Sequence, residues 1–135
     1  MAKPNLRRDD LVYPELSYEI IGCVYDVWDE LGPGHLEKVY QKALGIALSS
    51  RSILFKEQIH YPLKFKNEIV GKGILDFLVE GKVILEIKKD EIFSKSNIEQ
   101  VLNYLKISQL KLAILINFGK SGIKTKRIVN ITEVS

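Results

Sequence analysis

The chain has 135 residues, 46% apolar and 27% charged, with a formal net charge of +3. That composition suits one soluble globular domain with a real core and excludes a disordered chain. A lone cysteine, Cys23, excludes an intrachain disulfide and a cysteine metal cluster. No apolar run reaches the roughly 18 residues of a membrane span, and the polar start MAKPNLRRDD lacks the apolar stretch of a signal peptide. The expectation is a reduced, cytoplasmic protein forming a single domain over 1–135, with 1–13 a flexible N-terminal extension.

Pro14 suits the first turn of a helix, and Ile20, Ile21, Val24, Trp28 and Leu31 recur at helical spacing. A helix is therefore expected near 14–31, ended by Gly-Pro-Gly at 32–34. A second follows near 35–50, with Leu36, Val39, Tyr40, Ala43, Leu44, Ala47 and Leu48 on one stripe. Alternation then takes over, with Ile59, Tyr61, Leu63 and Phe65 on one face of a strand. Lys-Asn-Glu at 66–68 reads as a turn between that strand and the next, 69–79, and 83–88 forms a third. Helical spacing returns over 94–108 through Ile98, Val101, Leu102 and Leu105. Strands are expected at 111–118 and 124–131. The order α, α, β, β, β, α, β, β implies an α/β or α+β fold, a mixed sheet with helices packed on it.

The stretch GILDFLVEGKVILEIKK, 73–89, carries the chemistry. It is built for burial, and buried strands tolerate charge badly, yet Asp76 and Glu86 sit inside it and Lys88 closes it. Glu86 and Lys88 are two apart and share a strand face. Whether Asp76 joins them depends on the turn. A two-residue turn at Glu80-Gly81 pairs 79 with 82 and puts the two carboxylates on opposite faces. A three-residue turn, Val79-Glu80-Gly81, pairs 78 with 82 and leaves Asp76 diagonal to Glu86 on one face. Clustered carboxylates repel, burial raises the cost, and a divalent cation relieves both. Oxygen-only ligands favour Mg²⁺ or Mn²⁺, and a neighbouring lysine can hold a water or neutralise a phosphate. A site of this kind therefore requires an odd number of loop residues and suits metal-dependent phosphodiester hydrolysis.

GILD at 73–76 followed by LEIK at 85–88 resembles the D…E-x-K signature of the PD-(D/E)XK nuclease superfamily, with Leu75 where that signature has proline. GPGHLEKVYQKAL, 32–44, resembles the G-x-x-E-x-x-Y motif of a group of small proteins placed in it, here Gly34, Glu37 and Tyr40. EQVLNYLK and LINFG look like later segments of that group, so the resemblance covers about 14–130. It implies a restriction-endonuclease-like core, a mixed central sheet flanked by helices. It implies that Asp76, Glu86 and the main-chain carbonyl of Ile87 bind the metal, and that Lys88 acts on the attacking water or the phosphate. Glu37 becomes an additional carboxylate, and Gln100 and Tyr104 match a Q-x-x-x-Y motif, four apart on one helix face and off the apolar stripe. The implied activity is Mg²⁺-dependent hydrolysis of DNA, with RNA as an alternative substrate, by a homodimer.

Other residues read more plainly. Tyr40 lies on an apolar stripe and suits packing, Gly34 suits a turn, and Glu37 in a first helical turn is also stabilised by the helix dipole. His35 and His60 lack metal-site spacing, so surface or capping roles are expected; Trp28 and Cys23 suit the core. Lys120, Lys124, Lys126 and Arg127 place four cations in eight residues, either a solvated strand end or a phosphate-backbone contact. The competing reading of the whole chain is a non-catalytic module, or complex subunit, that keeps the fold and binds nucleic acid or protein.

Overall fold

In the computed structural model, residues 12–89 and 92–130 are described. Two helices, α1 (Pro14–Leu31) and α2 (Glu37–Ser50), precede three strands, β1 (Phe55–Phe65), β2 (Glu68–Val79) and β3 (Val83–Lys88). Helix α3 (Lys95–Ser108) and strands β4 (Leu112–Phe118) and β5 (Ile123–Val129) complete the order. The expected sequence of elements therefore holds, with β1 starting four residues before the alternation at Ile59.

The five strands lie in chain order, β1-β2-β3-β4-β5. All neighbours are antiparallel except β3 and β4, which are parallel and joined by the α3 crossover. α1 and α2 cover one face, where Phe77, Val79, Leu85, Ile87, Ile114 and Ile116 meet Ile20, Val24, Tyr40 and Leu44. α3 covers the other, where Leu75, Ile84, Ala113 and Leu115 meet Val101 and Leu105. β3 and β4 are buried on both faces, which explains their unbroken apolar runs. Burial of each such Leu, Ile or Phe contributes about 1.5–3 kcal/mol.

The β2–β3 turn is Glu80-Gly81-Lys82, pairing Val79 with Val83. The loop is odd, as a one-faced site requires, but the register differs from the expected 78/82 pairing. Val79 and Val83 are both fully buried against α1 and α2, so the core retains Val79 in the strand. Glu80 and Gly81 both have left-handed backbone, at φ 53° and 67°. Glu80 is held there by exchange with Leu54, donating N–H to its carbonyl at 2.8 Å and accepting its N–H on Oε2 at 2.8 Å.

The expected single face of β1 is broken. Phe55 packs on the α1/α2 side, whereas Ile59 and Tyr61, at the same parity, pack on the α3 side. β2 shows the same change, with Phe77 on one side and Leu75 on the other. The ladder skips one pair between these positions, Gln58 with Asp76, and Gln58 is left-handed at φ 56°. Both strands thus change phase together, a bulge-like device that leaves the register intact and marks Asp76. Of the expected flexible extension 1–13, residues 1–11 lie outside the described residues. Val12 touches the fold, its carbonyl accepting from Arg127 Nη2 at 3.0 Å.

Candidate metal centre and its surroundings

Beyond Phe77 and Leu85 the β2–β3 ladder ends, and the next residue on each strand is a carboxylate. Asp76 and Glu86 therefore face each other directly across the opening, rather than diagonally. Each replaces the missing ladder bond with its side chain. Ile87 N–H donates to Asp76 Oδ2 at 2.7 Å, and Asp76 N–H donates to Glu86 Oε1 at 3.0 Å. The two main-chain donors are satisfied, and both carboxylates are locked at one place. Lys88 Nζ stands 3.7 Å from Glu86 Oε2.

Glu86 is 5% exposed. Burial, and then the negative charge of Asp76, pushes its carboxyl up to about 7. Asp76 is also raised, first by burial, against the opposing pull of the Ile87 N–H and Lys88. The charge of Glu37 raises Asp76 further, which brings Glu37 into electrostatic reach of the pair. Glu37 Oε2 also accepts from Lys89 N–H at 3.0 Å, tying the start of α2 to the end of β3.

The G-x-x-E-x-x-Y spacing has a physical basis here. Gly32 and Gly34 turn the chain out of α1 with φ 68° and 96°. Tyr40, buried and stacked on Phe118 with ring centres 4.2 Å apart, donates its hydroxyl proton to Gly32 O at 2.7 Å and accepts from His35 N–H at 3.3 Å. His35 Nε2 lies 3.0 Å from Leu31 O at the end of α1, the capping role expected of it. Tyr40 thus pins the loop that aims Glu37, three residues earlier, at β3.

Gln100 and Tyr104 do not bond the carboxylates. Gln100 Nε2 donates to Tyr61 Oη at 2.8 Å, and the Tyr104 ring lies 5.0 Å from the Tyr61 ring. Tyr61 was not singled out by sequence. It lies across Gly73, where any Cβ would collide with its ring. A glycine opposite an aromatic residue is a signal of close approach, legible only once the register is known. Of the basic run, Arg127 is engaged structurally, Nη1 donating to Ser17 Oγ at 2.8 Å. Lys124 and Lys126 alternate with Arg127 along β5, so the four cations do not share one face.

Asn117, also missed, pairs in register with Lys88 and so shares its face. It is 1% exposed, and neither its Nδ2 nor its Oδ1 has a hydrogen-bond partner among the described residues. A buried, unpaired polar group costs about 1–3 kcal/mol. Asn117→Leu, which keeps the branched shape without the polar atoms, is accordingly expected to raise the melting temperature; a fall in a thermal melt contradicts this.

The donor set fits a hard divalent cation. Among the described residues no three His, Cys, Asp or Glu groups converge into a ready-made cage. Mg²⁺ does not need one, since it keeps several waters and takes one or two carboxylates together with substrate phosphates. The Ile87 N–H occupies one of the lone pairs of the Asp76 carboxylate, and a carboxylate has further lone pairs that suit a cation.

A family model for the PD-(D/E)XK nuclease superfamily matches residues 14–129. A search of curated proteins finds no match. Among solved structures, a crystal structure of SSO0001 is similar with a TM-score of 0.55 and 16% identity. That likeness covers 93% of this chain and 63% of SSO0001, and it bears on the fold alone. The mixed five-stranded sheet with flanking helices agrees with the family match, and the chain belongs to the PD-(D/E)XK nuclease superfamily.

Proposed function

We propose that the chain is a Mg²⁺-dependent nuclease that hydrolyses phosphodiester bonds of DNA. The observation that carries this reading is the pair Asp76, half-buried, and Glu86, buried, opposed and each fixed by a main-chain N–H of the other's strand. Superfamily membership supplies the reaction class. When bound, the cation lowers the pKa of a water and neutralises charge developing on the phosphate. Asp76 and Glu86 hold it, with the Ile87 carbonyl as a third oxygen; Mn²⁺ suits the same donors. Lys88, a quarter exposed and on the Glu86 face, orients the attacking water or the phosphate. Glu37 adds negative charge at longer reach and fixes the end of β3. Gln100 and Tyr104 act one step away, by holding Tyr61 and with it the β1–β2 ribbon.

The Gly34, Glu37 and Tyr40 geometry supports the G-x-x-E-x-x-Y group within the superfamily. Cys23, buried and free, suits a reducing compartment such as the cytoplasm. A homodimer is the proposed assembly, since a chain of 135 residues offers limited surface for a duplex; light scattering showing a monomer at working concentration contradicts it. The activity itself is checked by incubating the purified chain with single-stranded, duplex and branched DNA, and with RNA. Cleavage of DNA that needs Mg²⁺ and stops with chelator is expected. Stable binding without any cleavage of these substrates would favour a non-catalytic module.

A further inference from the structure

Past Gln58 and Asp76, β1 and β2 pair only with each other. They continue as a two-stranded ribbon to the tight turn at Lys66 and Asn67, both left-handed at φ 49° and 68°. From Asp76 to Glu68 the ribbon runs eight residues, roughly 26 Å at about 3.3 Å each. One face carries Ile59, Tyr61 and Leu75 onto α3. The opposite face carries His60, Pro62, Lys72 and Ile74 and, beyond the register shift at Leu63/Lys64, Lys64 and Ile69. Nothing in the described fold covers it: Ile69 is 68% exposed, Val70 65% and Ile74 41%. Between His60 and Ile74 the charged side chains are Lys64, Lys66 and Lys72 against Glu68 alone.

We propose that this ribbon is an arm that enters the groove of a DNA duplex held at the Asp76–Glu86 site, with Lys64, Lys66 and Lys72 on phosphates and Ile69 and Val70 against the groove. The proposal rests on the nuclease reading, which places the duplex at the root of the arm. Three observations favour a duplex as the occupant. The B-form major groove, about 12 Å wide, admits a two-stranded ribbon, whereas the A-form major groove of RNA is too narrow for side chains to read. The arm spans about eight base pairs at about 3.4 Å each, enough to follow a groove away from the cleaved bond. The exposed apolar side chains are flanked by cations, which suits a polyanion. A second copy fits less well. Pro62 and the left-handed Gln58 interrupt strand pairing along the β1 edge, and a two-fold contact would set the three lysines of each copy against one another.

The test is fluorescence anisotropy of the full chain with a labelled DNA duplex, and with a single strand of the same sequence, in chelator so that nothing is cut. Lys64→Gln, Lys66→Gln and Lys72→Gln combined should weaken duplex binding at least about tenfold. It should also make the slope of log K against log salt shallower by about 2–3, close to 0.9 for each phosphate that is no longer neutralised. Binding of the single strand should fall less. Ile69→Ser with Val70→Ser should weaken duplex binding with the salt slope unchanged. Unaltered duplex affinity and slope in the lysine variant overturn the arm, even if Mg²⁺-dependent cleavage is present. Weakened binding in a parent that never cleaves DNA leaves the arm standing and removes the nuclease. Light scattering in which Ile69→Ser with Val70→Ser turns a dimer into a monomer assigns the face to a second copy and overturns the arm.

Discussion

Glu86→Gln is expected to make the metal-free protein more stable at pH 8 than its parent and equally stable near pH 4.5. Burial and the Asp76 charge raise the Glu86 carboxyl from 4.5 to about 7 in the folded chain. Between those values the folded state keeps a proton that the unfolded chain has released. Stability therefore falls as pH rises through this window and is flat above it. Asp76, raised as well, adds to the fall from lower pH upward. A shift of that size corresponds to a penalty on the order of 3 kcal/mol above pH 7. Gln removes the charge but keeps an oxygen for the Asp76 N–H, so a gain approaching that figure is expected, or about 10 °C in melting temperature. Mg²⁺ should cancel the penalty in the parent, and its stabilising effect should be larger at pH 8 than at pH 6. Thermal melts across pH 4.5–8, with and without Mg²⁺, check this; a variant less stable than its parent at pH 8 contradicts it.

Asp76→Asn and Lys88→Ala should both stop cleavage and yet differ in metal binding. Asn at 76 can still accept from the Ile87 N–H through its amide oxygen, so the strand opening survives and stability is unchanged or slightly raised. One ligand charge is removed, and cleavage should fall below detection along with the metal-induced rise in melting temperature. Lys88 is not a ligand. Lys88→Ala should lower cleavage by about 10²–10⁴-fold, the range for a positioned acid–base or charge-stabilising group, while the response to Mg²⁺ remains. Its own cost is small, because a 3.7 Å pair with a quarter-exposed ammonium is weak. If Lys88 and the carboxylates form a structural ion pair instead, both substitutions should destabilise by about 3–5 kcal/mol. Melting curves beside a cleavage assay separate the two cases.

Much of the fold was legible because β3, β4 and the helices obey simple periodicities. Continuous apolar runs marked the doubly buried strands, and spacings of three and four marked α1, α2 and α3. The parity of the hairpin was legible too, since only an odd loop puts Asp76 and Glu86 together. The register was not, because choosing Val79 or Leu78 as the last paired residue depends on which packs against helices remote in sequence. The change of phase at Gln58 and Asp76 was hidden for a similar reason. A left-handed glutamine leaves no signature in composition, and its effect is visible only when Phe55 and Ile59 are seen on opposite sides. Asn117 reads as an ordinary member of an apolar strand until its register neighbour is known to be Lys88. Spacing sets Gln100 and Tyr104 apart from the core stripe, yet Tyr104 packs on the α3-side core, and their shared partner Tyr61 comes from β1, a contact that helix periodicity cannot specify.

The most direct measurement is anomalous diffraction from crystals of the protein soaked in Mn²⁺. A metal bound by the carboxylates of Asp76 and Glu86 predicts a strong anomalous peak between the end of the β2–β3 ladder and the Ile87 carbonyl, and its disappearance in Asp76→Asn. An empty site in the parent at saturating Mn²⁺, with Lys88 bridging the two carboxylates instead, would contradict it.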